Sequence, residues 1–170
     1  MSGNKDKLKC FSPLTGKNPK ILILGTMPGG ESLKKQEYYA YSRNVFWKLL
    51  FEVLNKPFKD SYKDRVNLIK NNAIALWDTL LSCERKNSSD SKIKKGSEVY
   101  NDIYGLLKKN KSIRAVFFTS KTAEKYFEKG LDGKFLPLEI HREYLPSPSP
   151  ANTVKYEKKL EQWLVIKDFL

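Results

Sequence analysis

Residues 20–25, KILILG, constrain the fold more than any other stretch. Four successive aliphatic residues leave neither face of an extended segment polar, so a strand here must be buried on both sides. That is the condition of an interior strand in a parallel sheet covered by helices. The strand runs directly into Gly25-Thr26-Met27-Pro28-Gly29-Gly30, a turn in which glycine permits close backbone approach and proline fixes the path. The loop lacks the Gly-Lys-Ser/Thr of a P-loop and the spacing of a dinucleotide-binding loop. It can be a plain strand-to-helix turn. Its place at a strand's carboxyl end is also where open α/β sheets bind ligands.

The rest of the chain alternates in the same way. Residues 73–77 read as a second buried strand, 113–118 as a third, and 135–145 alternate like a final one. Helical periods cover 44–54 (Phe46, Trp47, Leu49, Leu50, Val53, Leu54), 60–71, 97 to about 109, 121 to about 129, and 153–169. Residues 80–96 are polar and irregular and read as a long surface loop. Strands alternating with helices predict an α/β fold, a parallel sheet with helices on both faces. The loops after the strands then line one edge. No repeat or linker divides the chain, so residues 1–170 are expected to form one domain.

Composition narrows the function classes. Thirty-two Lys and Arg against 19 Asp and Glu give a net charge of +13, the electrostatic footprint of a nucleic-acid binder. A lysine-rich surface on an unrelated fold gives the same count. No apolar run approaches the ~20 residues needed to span a membrane. The start, MSGNKDKLKC, has no apolar stretch of the secretory kind. Two cysteines, Cys10 and Cys83, and one histidine, His141, are too few and too scattered for a zinc site, so no metal is expected. They read as reduced thiols in a cytoplasmic protein.

Three segments carry candidate chemistry. In YYAYSRN (38–44), tyrosines flank a serine, an arginine and an amide in what reads as a loop. Aromatic rings can stack on a flat base while an amide hydrogen-bonds to it. Asn44 can equally cap the following helix. LPSPSPAN (145–152) is stiff and extended. It can contact phosphates and wedge a base step, or serve as a rigid connector with Asn152 capping the last helix. Asp78 and Asp90 are the carboxylates nearest the proposed edge, and turn capping is the simpler role for each.

In these segments, GTMPGGESL, YYAYSRNVFW, ALWDTLLSCERKNSSDSKI and LPSPSPAN in that order, the chain resembles the uracil-DNA glycosylase superfamily, and most of all its hypoxanthine-DNA (deoxyinosine) glycosylase branch. The resemblance spans residues 25–152. It implies a three-layer α/β/α sandwich with a short central parallel sheet. It also implies a monofunctional enzyme that hydrolyses the N-glycosidic bond of a deaminated base, hypoxanthine or uracil, flipped out of DNA. By resemblance Asn44 is the catalytic asparagine, and Gly25, Thr26, Met27, Pro28 and Gly29 shape the base pocket. Tyr39 stacks on the flipped base, and Leu145, Pro146, Ser147, Pro148, Ser149, Pro150 and Asn152 press on the DNA. Relatives often carry Asn-Gly after the third strand, where Thr119 and Ser120 stand here. Hydroxyls donate and accept but reach less far than an amide. The loop histidine of classical relatives is replaced by Leu145, and His141 does not take its role.

The chemistry is compatible with this residue set. An Asn amide takes no proton near neutral pH, so Asn44 would orient water or base. The missing carboxylate in GTMPG predicts slow turnover, since general-base help is worth ~10²–10⁴-fold. No cofactor is needed, and no lysine is evidently placed for strand cleavage. The expected partner is duplex DNA, with single strands left open, and the expected state is a monomer. A non-catalytic lesion binder of the same fold and an unrelated small-molecule hydrolase are the alternatives.

Overall fold

The computed structural model describes residues 7–137 and 139–170. Most of MSGNKDKLKC thus lies outside the described residues, as does Leu138 within the expected last strand.

The main sheet has the order β2-β4-β3-β7-β8, built from β2 (Leu14–Thr15), β3 (Ile21–Gly25), β4 (Ile74–Asp78), β7 (Ala115–Phe118) and β8 (His141–Tyr144). The last four run parallel, and β2 closes one edge antiparallel. β3 lies at the centre, in register Ile21↔Ile74 and Gly25↔Asp78 on one side and Leu24↔Phe118 on the other. The period of two then sorts its aliphatic run. Ile21 and Ile23 pack with α2 (Phe46–Val53), α3 (Tyr62–Asn71) and α6 (Tyr156–Trp163). Leu22 and Leu24 pack with α4 (Ile103–Lys109) and α5 (Lys121–Leu131). This is the expected three-layer α/β/α sandwich.

Three expectations need correction. Residues 80–96 are not all loop. Leu80–Glu84 form β5, the middle strand of a second, antiparallel sheet between β1 (Lys7–Lys9) and β6 (Val99–Tyr100). Leu80 and Cys83 are fully buried there. The helix expected from residue 97 begins only at Ile103. Asp102 caps it by accepting from the Gly105 N–H at 2.9 Å, and β6 occupies the preceding residues. The last strand is confined to His141–Tyr144, and Phe135 is 92% exposed. The final helix, α6, continues as a 3₁₀ segment over Leu164–Phe169. A short α1 (Gly30–Lys35) follows the glycine-rich loop. No helix among the described residues is long and apolar enough to cross a membrane.

Candidate active site

The loops leaving β3, β4, β7 and β8 meet around one cleft of about 940 Å³ at the carboxyl edge of the sheet. Gly25, Thr26, Met27, Pro28, Gly29, Tyr39, Asn44, Thr119 and Ser120 all line it, with Pro146, Ser147, Pro148, Ser149, Pro150 and Asn152. Leu145 does not. It is fully buried in the core, and its N–H donates to the Phe118 carbonyl at 2.8 Å. It is a structural residue that anchors the loop, not a DNA contact.

The glycine-rich loop is held from behind. Arg85, 4% exposed, donates to the carbonyls of Met27 (3.5 Å) and Pro28 (2.5 Å) and pairs with Asp90 at 3.4 Å. The Gly30 N–H donates to Ser88 Oγ at 2.8 Å. Gly25 is required by close approach: a Cβ there would lie 2.5 Å from Asp78 Oδ1 and 2.9 Å from Tyr39 Oη.

The three tyrosines separate by role. Tyr38 is buried and donates to the Ser12 carbonyl, and Tyr41 is exposed. Tyr39, at φ +51°, forms the wall. Its ring stacks on Phe46 with centroids 3.8 Å apart and planes 4° from parallel. Thr119 spends its one hydroxyl proton on the Leu24 carbonyl (3.3 Å), so at 3.2 Å it is Tyr39 that donates to Thr119. Burial holds the Tyr39 hydroxyl far above its ordinary pKa, and the negative charge of Asp78 adds to that.

Asn44 lines the cleft and also holds the start of the helix that follows it. Its Oδ1 accepts the Phe46 N–H at 2.9 Å, which fixes the start of α2. Its Nδ2 has no acceptor among the described residues and remains available at the cleft. Ser120 caps α5 by accepting from the Ala123 N–H at 2.9 Å and also meets Thr26 Oγ1 at 3.0 Å. Thr119 and Ser120 therefore reach the cleft with hydroxyls already engaged.

The proline-rich loop is braced along its length. Trp163 Nε1 donates to the Pro146 carbonyl at 3.0 Å, and the Val45 N–H, beside Asn44, donates to the Pro148 carbonyl at 3.1 Å. Lys159, only 4% exposed, donates to the carbonyls of Ser149 (3.4 Å) and Asn152 (3.0 Å). Burial lowers its pKa. The N–H groups of Ser149 and Ala151 are taken by the serine hydroxyls two residues earlier. Asn152 does not cap α6. Its Oδ1 accepts from Val154 within the loop.

Asp78 and Asp90 also depart from the expected turn-capping role. Both line the cleft. Asp90 pairs with Arg85, and burial raises its pKa, with a Thr26 hydrogen bond and the Arg85 charge pulling the other way. Asp78 is 4% exposed, and burial followed by the negative charge of Asp90 pushes it up to about 7 against the pull of Arg85. The sequence signal for Asp78 was its place at the end of a buried strand, directly beside Gly25. His141 sits at the far end of β8, paired with Glu143 and stacked on Phe169. Cys10 and Cys83 are free thiols. Among the described residues no group of three or more His, Cys, Asp or Glu is placed to hold a metal, and no lysine lines the cleft.

The family model of the uracil DNA glycosylase superfamily matches residues 13–169. A hypoxanthine DNA glycosylase of Methanosarcina acetivorans is 34% identical over 154 residues, covering 90% of this chain and 93% of the relative. One from Methanosarcina barkeri is 33% identical over 121 residues, 71% of this chain and 75% of the relative. The solution NMR structure of a candidate uracil DNA glycosylase from Methanosarcina acetivorans superposes with a TM-score of 0.78 at 30% identity, over 94% of this chain and 96% of that one. The family model covers every loop that forms the cleft, and the chain belongs to the uracil DNA glycosylase superfamily.

Proposed function

We propose that the chain works as one domain over residues 1–170, a cytoplasmic monomer, and removes a deaminated base, hypoxanthine or uracil, from DNA by hydrolysing its N-glycosidic bond. The observation that carries this reading is the convergence of Asn44, the GTMPG loop and the proline-rich loop on one cleft. The names of the two Methanosarcina relatives favour hypoxanthine.

The reaction breaks the C1′–N bond. The electron pair leaves with the base, and water adds to the sugar carbon. Phe46 fixes the plane of the Tyr39 ring, and a flipped base stacks on the ring's free face. The amide hydrogens of Asn44 hold either the base or the water in line, a matter of position rather than proton abstraction. The proline-rich loop supports the backbone from which the base has been turned out. The +13 charge holds the duplex through its phosphates, so binding weakens steeply with salt.

The test is base release from labelled duplexes with one uracil or one hypoxanthine opposite each normal base. Wild type is expected to leave alkali-sensitive sites, and Asn44→Ala to cut the rate by about 100-fold or more. Salt-sensitive binding with no release from any duplex would identify a lesion binder instead. Gly25→Ala is expected to lower the single-turnover rate by roughly 100-fold, because the added methyl must displace Asp78 or Tyr39. An undiminished rate would show that this contact does not shape the base pocket.

A further inference from the structure

We propose that the Asp78 carboxyl group is the hydrogen-bond donor to the departing base, a second catalytic group beside Asn44. The proposal rests on the glycosylase reading above and adds to it the means by which the leaving group is stabilised.

Asp78 ends β4, directly beside Gly25 in the sheet register, and lines the same cleft as Asn44 and Tyr39. It is buried, yet neither carboxyl oxygen makes a hydrogen bond among the described residues, and Oδ2 is enclosed without a partner. Buried polar groups are nearly always bonded, and an exception calls for a reason. Donors lie close by, but none of them bonds to it, and Arg85 Nε and the neighbouring Thr79 Oγ1 are themselves buried without a partner. Tyr39 donates to Thr119. The Asn101 amide donates to the backbone carbonyl of Asp78 and to Cys10. Arg85 serves the loop carbonyls and Asp90. The missing Cβ of Gly25 leaves the space against Oδ1 open. The fold thus keeps one carboxyl free at the place where a base would sit.

Its protonation suits the task. With its pKa pushed up to about 7, Asp78 carries its proton through the acidic side of neutrality. A neutral carboxyl donates through O–H and accepts through C=O. Hypoxanthine and uracil each present a ring N–H beside a carbonyl, and the two edges match through a pair of hydrogen bonds. As the C1′–N bond breaks, negative charge spreads over the base, and the acid's O–H strengthens its bond to the base or passes the proton across. The attacking water forms the C1′–O bond and loses a proton to solvent, which restores the acid. The net change is one water consumed, with a free base and a sugar hydroxyl formed. The other cleft hydroxyls of Tyr39, Thr119 and Ser120 are already engaged, so Asp78 is the acid the pocket holds in reserve.

The charged and titratable groups facing Asp78 are Asp90 and Arg85, with Tyr38, Tyr39 and Cys10 around it. The last three are raised by burial and stay neutral near neutral pH. The test is the single-turnover rate of wild type and Asp78→Asn from pH 5.5 to 9, with affinity for a duplex bearing a tetrahydrofuran abasic analogue as control. The wild-type rate is expected to fall with rising pH through neutrality, approaching tenfold per unit. Asp78→Asn is expected to be about 100-fold slower at pH 6 and flat with pH. Its abasic-duplex affinity should equal that of wild type, since that ligand has no base to contact. A variant that keeps the wild-type rate and profile overturns the proposal. So does one that loses abasic-duplex affinity in step with rate, which would assign Asp78 to the fold. A wild type inactive on every duplex would overturn the glycosylase reading itself, and this proposal with it.

Discussion

Asp78→Asn is expected to gain stability over wild type as pH rises, by about 4 kcal/mol between pH 4 and pH 8. The sign follows from the direction of the shift. The carboxyl rises from an ordinary 3.8 to about 7 in the folded protein, so between those values the native state holds a proton that the unfolded state has released. Its contribution is complete below the unfolded pKa and is lost as pH climbs through the folded one. Each pH unit of that interval carries about 1.4 kcal/mol. Asparagine has the same shape and no charge to bury, so the variant lacks the slope. Asp90 is raised as well, which gives wild type and variant a shared slope of the same sign. The difference between them isolates Asp78. Urea unfolding of both proteins at several pH values measures it. A constant difference across the range would mean that Asp78 is ionised in the native protein. A residue that weakens the fold at working pH and yet lines the cleft follows the pattern of stability given up at a functional site.

Trp163→Ala is expected to cost about 3–5 kcal/mol. The indole is fully buried, and its ring meets Phe46 edge to face at 5.6 Å and 82°. Phe46 in turn backs Tyr39. The same side chain ties down the Pro146 carbonyl. Truncation therefore opens the core beneath the tyrosine wall and releases the proline-rich loop together. Trp163→Phe keeps much of the ring but loses the N–H donor, and about 1 kcal/mol of its deficit belongs to that bond. Thermal melts should show a drop of roughly 10 °C for the alanine variant in a chain of this size. A drop of only a degree or two would mean that neighbouring side chains close the gap.

The three inner strands β3, β4 and β7 were legible because they are largely continuous apolar runs, a pattern of double-sided burial, whereas β8 (HREY) and the two-residue β2 carry no such run. The second sheet was not. Lys7–Lys9, Leu80–Glu84 and Val99–Tyr100 are short and mixed, and they become strands only by pairing across long stretches of chain. The cleft followed from topology, since loops after parallel strands must share an edge. Leu145 was misplaced because a motif shows adjacency along the chain and not which side chain turns inward. Arg85 was hidden in a charged run, CERKNSSDSK, where composition cannot tell the one buried guanidinium from its exposed neighbours. Asp78 looked like a turn residue, and its isolation arises only from how Tyr39, Gly25 and Arg85 surround it.

If the proline-rich loop meets DNA as proposed above, its bracing bears on how lesions are found. It is fixed in the free protein by Trp163, Lys159 and the start of α2. Almost every stretch of a genome that such a protein visits is intact, and each visit must end quickly. A reading head that had to order itself anew at each position would lose conformational entropy on every stop. One already set has nothing to rearrange, so the loop adds no ordering cost to each encounter. On that reading the selective event is the opening of the base pair, which costs least where the pair is already weakened.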